Sequence, residues 1–218
     1  MGRYLTPSGG EGGAGMRNLR HVLTASNPAV PVPSWAKMVR VTGCGGGAGG
    51  GIADPITMTG KSGGAGGIAN NAPLLIGSAT TLAVVVGAAG AGRTTGTGDG
   101  GAGGDTTISV PGGQVMTLKG ANGFQSGAAF IGTTQPTASY ADWRANAGLF
   151  PGFVSPGFME HGSASPFGAF GAAANAGGGD GGNATGYGAG GGVSVDGKGG
   201  DGSPGIVILE FQECAAVV

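Results

Sequence analysis

Glycine is the residue that most constrains this chain, because 55 of its 218 residues are glycine. Ordering a glycine costs more backbone entropy than ordering any other residue, and no side chain is buried in return. A core of the ordinary kind therefore cannot form inside a glycine tract. The main tracts are residues 43–51, 60–67, 87–104 and 171–202.

Two arrangements are open to these tracts: loose linkers, or backbones that hydrogen-bond to one another sideways. An extended helix with three residues per turn makes no internal hydrogen bonds. Without side chains, such helices come close enough for their N–H and C=O groups to pair. Apolar strands lie between the tracts and need a shared core, which disfavours linkers. We therefore expect glycine-rich helices of the polyglycine II type.

Charge and hydropathy exclude several classes of protein. Ten basic and 11 acidic residues give a net charge of -1, and 39% of the residues are apolar. Disorder driven by charge does not fit this composition, and neither does a polyanion-binding surface. No apolar run is long enough to cross a bilayer. We expect no nucleic-acid partner and no membrane insertion.

Short β-compatible segments separate the tracts, and none has a convincing helical period. The segment 82–86 is apolar on both faces, which predicts a strand that is central or covered on both sides. Prolines make 27–33 an extended connection. The predicted fold is all-β, a small β-sandwich with interleaved polyglycine II-like helices, in which the first long strand and the last one are central. The predicted strands are 19–25, 35–42, 82–86, a hairpin of 105–110 with 114–119, and 206–211.

An ordered set of motifs resembles the glycine-rich domain of bacteriophage tail-fibre and tail-tip proteins. The resemblance covers about residues 19 to 211. It implies a rigid glycine core that holds loops for recognition of the bacterial surface. The motifs are the Trp35 strand running into 42–47, then 86–92, 165–168, the Gly-Tyr-Gly-Ala-Gly-Gly-Gly of 186–192, and the Pro-Gly-Ile-Val-Ile-Leu-Glu of 204–210.

The resemblance also implies a domain plan and a set of partners. Residues 1–34 are expected to hold an attachment segment for other virion or tail proteins and the first strand. The glycine-rich β domain is 35–211, with an aromatic insertion at about 133–161, and 212–218 is a tail. A homotrimer in the virion, assembled in the bacterial cytoplasm and bound to a cell-surface receptor, is the expected assembly. A decoration, connector or pilus-like subunit without a receptor is the alternative.

Nine of the 13 aromatic residues fall between positions 124 and 170. They suit either a local core or subunit interface, or an exposed recognition loop, since Trp, Tyr and Arg are common interface anchors. Both interpretations remain open. The candidate receptor or subunit contacts are Tyr140, Trp143, Arg144, Phe150, Phe153 and Phe158.

No arrangement of titratable residues predicts catalysis. His21 and His161 lie far apart in sequence and lack the cysteine spacing of a zinc site. Cys44 and Cys214 are either two free thiols or one bridge. We expect no enzymatic activity, no metal and no cofactor. The aspartates beside glycines are expected to be solvated turn carboxylates: Asp99, Asp105, Asp180, Asp196 and Asp201.

Overall fold

The computed structural model describes residues 17–54, 61–123, 129–131, 161–174 and 179–213. Within these ranges the chain forms nine β-strands and no helix. The strands build two antiparallel sheets, which confirms the predicted all-β class. They are β1 (Asn18–Leu23), β2 (Asn27–Pro31), β3 (Met38–Cys44), β4 (Ile68–Leu75), β5 (Thr81–Val85), β6 (Thr106–Ser109), β7 (Val115–Leu118), β8 (Ala129–Ile131) and β9 (Ile206–Gln212).

The first sheet has the strand order β1-β9-β3-β4. The last strand, β9, is therefore central, as predicted, and pairs with both β1 and β3. The alternation predicted for the Trp35 strand is present in β3, where Val39 and Val41 are fully buried. The strand itself begins at Met38, and Trp35 packs against the core from the preceding turn.

The second sheet has the order β2-β5-β6-β7-β8. The predicted hairpin is present as β6 and β7, with Ile108 opposite Met116. Side chains from both sheets meet in one core, which buries Phe211 and Leu209 of the first sheet against residues such as Leu82 and Ile108 of the second. Burial of these apolar side chains is the main stabilising term of the sandwich.

The segment at 82–86 forms an interior strand, β5, which confirms the prediction that it is central in a sheet. One of its faces is buried, and Val85 on the other face is 50% exposed. A β-branched residue is readily accommodated on the solvent face of a sheet. Two other sequence predictions need correction. The extended connection at 27–33 contains a strand, β2, whose prolines are tolerated because it lies at a sheet edge.

The second correction is β4, which the sequence analysis missed. Its central Asn-Asn pair and Pro73 break the alternation that identifies a strand. Pro73 is acceptable because β4 is an edge strand. The register shifts between Val41 and Gly43, where Asn71 has a positive φ of 55° and its N–H donates to the Thr42 hydroxyl. A β-bulge of this kind bends an edge strand.

The glycine tracts continue the strands beyond one end of the sandwich. In β9, Ile206 pairs with Cys44 beside the tracts, whereas Gln212 pairs with Asn18 at the opposite end. Both outer ends of the described chain thus lie at the sheet end away from the tracts. The tracts continuous with strands are 45–53 after β3, 61–67 before β4, 87–93 after β5, 98–104 before β6 and 199–205 before β9.

Candidate functional site

The six predicted contact residues lie outside the described residues, so their prediction stays open. Described chain flanks them on both sides. On one side β8 pairs with β7, and on the other His161 lies against the Phe170 ring at a centroid distance of 5.2 Å. The residues in question are Tyr140, Trp143, Arg144, Phe150, Phe153 and Phe158.

The two histidines occupy different environments. His21 packs edge-on against the buried Phe211 ring, and burial lowers the pKa of its imidazole. Nδ1 of His161 accepts a hydrogen bond from the Ala173 N–H at 3.0 Å. In the described part of the chain, no three His, Cys, Asp or Glu side chains are grouped to hold a metal ion. The same residues contain no helix long and apolar enough to span a membrane.

Cys44 is a free, fully buried thiol at the junction of β3 and the glycine tracts, while Cys214 is outside the described residues. It packs with Ala65, Ile68 and Ile206 in a small apolar cluster. Burial disfavours the thiolate and raises the pKa of Cys44 from its ordinary value of 9.0 to about 12. The thiolate is the reactive form of cysteine, so complete burial and the raised pKa both disfavour reaction at Cys44.

The raised pKa of Cys44 predicts a loss of stability in alkali. Because the folded state keeps the proton to higher pH than the unfolded state, the thiol stabilises the fold fully below pH 9.0. That contribution is lost between pH 9 and about 12, by about 1.4 kcal/mol per pH unit. Denaturant titrations of wild type and Cys44→Ala over this range measure the effect. A variant that loses stability as steeply as wild type contradicts the assignment.

The segment at 45–53, here called the central tract, donates the N–H groups of Gly45 to Ile52 in three directions with a repeat of three residues. Every third donor in this range reaches the same neighbouring segment, which runs in the opposite direction, whereas the Ala53 N–H donates to the Ser194 carbonyl. The bonds join Gly45 to Gly67, Ala48 to Gly64 and Gly51 to Lys61; Gly46 to Gly104, Gly49 to Gly101 and Ile52 to Gly98; and Gly47 to Ser203 and Gly50 to Gly200, with N···O distances of 2.8–3.0 Å.

The carbonyl groups of the central tract accept from three further segments. Two of these run parallel to it, since the donor and acceptor numbers rise together. The bonds come from Gly90 to Gly47 and Arg93 to Gly50, from Gly191 to Ala48 and Ser194 to Gly51, and from Ala121 to Gly46, at 2.8–3.1 Å. The central tract is thus hydrogen-bonded to six segments, and the packed alternative is correct for it.

A second segment, 188–193, has the same three-residue repeat. Its carbonyls accept pairs of bonds from three neighbours, each pair three residues apart. The pairs are Gly66 to Gly188 with Gly63 to Gly191, Ser203 to Ala189 with Gly200 to Gly192, and Gly171 to Gly190 with Ala174 to Val193, at 2.8–2.9 Å. We call the bonded segments 45–53, 61–67, 87–93, 98–104, 171–174, 188–194 and 199–205 the glycine lattice.

The lattice leaves no room for side chains at its contact points. A Cβ at Gly47 would overlap the carbonyl oxygen of Ala189, and one at Gly50 would overlap that of Gly192. The obstacle in each case is backbone, which cannot rotate aside as a side chain can. Glycine is therefore required here by close approach of chains, as the composition predicted.

A polar cleft with a volume of about 310 Å³ opens on the lattice. Gly205 bonds to Gly87 beside the sheets, whereas Gly199 bonds to Arg93 farther along the same two tracts. The cleft therefore lies near the end of the lattice that is farther from the two sheets. Its lining residues are Gly92, Thr94, Asp180, Gly181, Asn183, Lys198, Gly199 and Asp201.

Three side chains of the cleft are fixed by backbone donors. Oδ1 of Asp201 accepts from the Gly92 N–H at 2.7 Å, and Oδ1 of Asp180 accepts from the Lys198 N–H at 2.8 Å. Oδ1 of Asn183 accepts from the Asp201 N–H, also at 2.8 Å. The sequence analysis treated Asp180 and Asp201 as solvated turn carboxylates; they are exposed, and each also binds backbone. The cleft was missed because its residues meet only through the lattice.

Comparison with known proteins concerns nearly the whole chain. A family described as "Glycine-rich domain" matches residues 23–212, which include the last residue of β1, strands β2 to β9 and all of the glycine lattice. No curated protein matches the chain.

Proposed function

The chain belongs to the glycine-rich domain family, and from this premise we propose that it is a non-enzymatic virion protein of a bacteriophage. Its place is the tail fibre or tail tip, where it contributes to attachment to the host surface. The observation that carries the proposal is the glycine lattice, because a cross-bonded backbone is suited to holding loops rigidly away from a particle. Rigid loops lose less entropy when they meet a receptor.

We also propose that the lattice segments are polyglycine II helices. Such a helix has three residues per turn and points its peptide groups outward in three directions. The three-residue repeat of partners along the central tract supports this conformation. So does the mixture of parallel and antiparallel neighbours, since a helix without side chains has no preferred partner direction.

The two ends of the molecule differ, which supports one end for attachment to the particle and the other for contact with the host cell. Arg17 and Glu213 are close at one end, where the Glu213 N–H donates to the Arg17 carbonyl at 3.2 Å. The lattice extends from the other end of the sheets. Residues 1–34 would then join other virion or tail proteins, and the lattice end would face the bacterial cell surface.

Assembly as a homotrimer belongs to the same proposal, since avidity multiplies weak receptor contacts. Val39 and Val41 are covered by the chain's own core and are not available to a partner subunit. Exposed apolar residues on the edge strands are better placed, namely Val22 at 47% and Leu75 at 65% exposure.

The proposal predicts that the purified full-length chain binds host cells and competes with adsorption of the phage that carries it. Flow cytometry of labelled protein measures binding, and a plaque-adsorption assay measures competition. A variant combining Tyr140→Ala, Trp143→Ala and Arg144→Ala is expected to bind at least tenfold more weakly, whereas Lys37→Ala serves as the control.

Immunogold labelling of the phage locates the chain independently of cell binding. Labelling at the tail tip with no cell binding favours the architectural alternative, a decoration, connector or pilus-like subunit. Absence of the chain from the particle contradicts both.

A further inference from the structure

The polar cleft has the chemistry of a binding site for a neutral, hydroxyl-rich ligand, and we propose that it binds a saccharide unit. This inference rests on the proposed function and gives it a ligand class. The cleft volume of about 310 Å³ is at the lower end of the range for small-molecule sites, about 300–1,000 Å³. It accommodates one or two sugar rings.

The lining of the cleft disfavours two other ligand classes, anions and divalent cations. Two carboxylates, Asp180 and Asp201, face one ammonium group, Lys198, so the lining carries one net negative charge. A phosphate or another anion is disfavoured by that balance. A divalent cation is also disfavoured, because the described residues contain no group of three His, Cys, Asp or Glu side chains that could hold one. Asp180 and Asp201 each use one carboxylate oxygen for a backbone N–H, whereas such an ion prefers several free oxygen ligands.

The side chains supply both donors and acceptors, which is what adjacent sugar hydroxyls need. Asn183 and both carboxylates each use Oδ1 for a backbone N–H. The amide NH₂ of Asn183 donates, the remaining carboxylate oxygens accept, and the Lys198 ammonium donates. The Thr94 hydroxyl does either. All of these residues line the cleft. Among the described residues, no other side-chain hydrogen bond uses the remaining polar atoms of Thr94, Asp180, Asn183, Lys198 and Asp201.

Preorganisation distinguishes this cleft from an ordinary polar surface. The Gly181 N–H donates to the Lys198 carbonyl at 2.7 Å, and the Ala184 N–H donates to the Asp201 carbonyl at 2.8 Å. The side chains of Asp180, Asn183 and Asp201 therefore accept from backbone N–H groups, and the segments that carry them are joined to each other by backbone hydrogen bonds. One tract cannot move without breaking bonds to its neighbours. Fixed polar groups bind with less loss of side-chain entropy.

Titration of the ¹⁵N-labelled full chain with methyl glycosides of glucose, galactose, mannose, rhamnose and N-acetylglucosamine tests the inference. We expect at least one glycoside to shift amide signals of residues 92–94, 180–183 and 198–201, saturating at millimolar concentration. Thr94→Ala and Lys198→Ala should each weaken this binding at least fivefold. Thr95→Ala is the matched control, since Thr95 does not line the cleft.

Two results overturn the saccharide assignment. One is that no glycoside shifts the cleft signals, or that the shifts lie elsewhere. The other is that N-acetylarginine amide, a probe for a basic peptide, binds where the glycosides do not. If the titration fails while the protein still binds host cells, this inference falls alone and the proposed function stands. If saccharides bind but cells do not, the proposed function falls instead.

Discussion

Gly190→Ala is expected to lower the free energy of unfolding by about 3 kcal/mol or more, the upper part of the range for overpacked sites. The added methyl group would overlap the carbonyl oxygen and carbonyl carbon of Gly63 and the carbonyl oxygen of Gly64. Gly190 makes two backbone hydrogen bonds: its N–H donates to the Ser163 carbonyl, and its carbonyl accepts from the Gly171 N–H. A backbone shift that relieves the overlap would have to break bonds of this kind.

The melting temperature should fall by about 6–12 °C, since about 2–4 °C corresponds to 1 kcal/mol in a chain of this size. Calorimetry and denaturant titration give the two values separately. Gly179→Ala is the matched control, because a Cβ there has only an ordinary contact of 3.8 Å with the Ala174 side chain. That variant should change stability by less than about 1 kcal/mol and in the stabilising direction, through the unfolded state. Equal effects of the two substitutions would contradict a packed lattice.

The strands could be predicted largely from the sequence, because alternation and β-branched residues report burial of one face. This worked for β3, β9 and the β6–β7 hairpin, whose inward residues are mostly apolar, Thr106 being the buried polar exception, and which border on glycine or proline. It failed for β2 and β4, where proline and asparagine sit at sheet edges. An edge strand needs only one set of ladder bonds, so its sequence is less constrained.

The composition predicted that the glycine tracts hydrogen-bond to one another, but it did not predict which tracts are neighbours. A run of glycines carries no information about which segment lies beside it, since every N–H and C=O is alike. Partners are decided by the strands that enter and leave the sandwich, as when β3 and β9 bring 45–53 and 199–205 together. The cleft depends on that pairing, because Asp180 and Asp201 meet Gly92 only through the assembled tracts.

The central claim is that side-chain-free backbone forms rigid material in this protein. Amides buried in cross-bonds exchange with solvent only when the bonds open, and bonds that share many neighbours open together. The central tract is continuous with β3 and bonded to six segments, so its opening requires disruption of the whole lattice.

Native-state hydrogen exchange measured residue by residue tests this claim most directly. We expect the amides of Gly46, Gly49 and Gly50 to exchange as slowly as those of Val39 and Val41 in β3, with the free energy of global unfolding. Exposed turn glycines should exchange many orders of magnitude faster. Exchange of the three central-tract amides at the rate of an unstructured chain, with β3 still protected, would show that the tract is a flexible linker and would contradict a rigid glycine lattice.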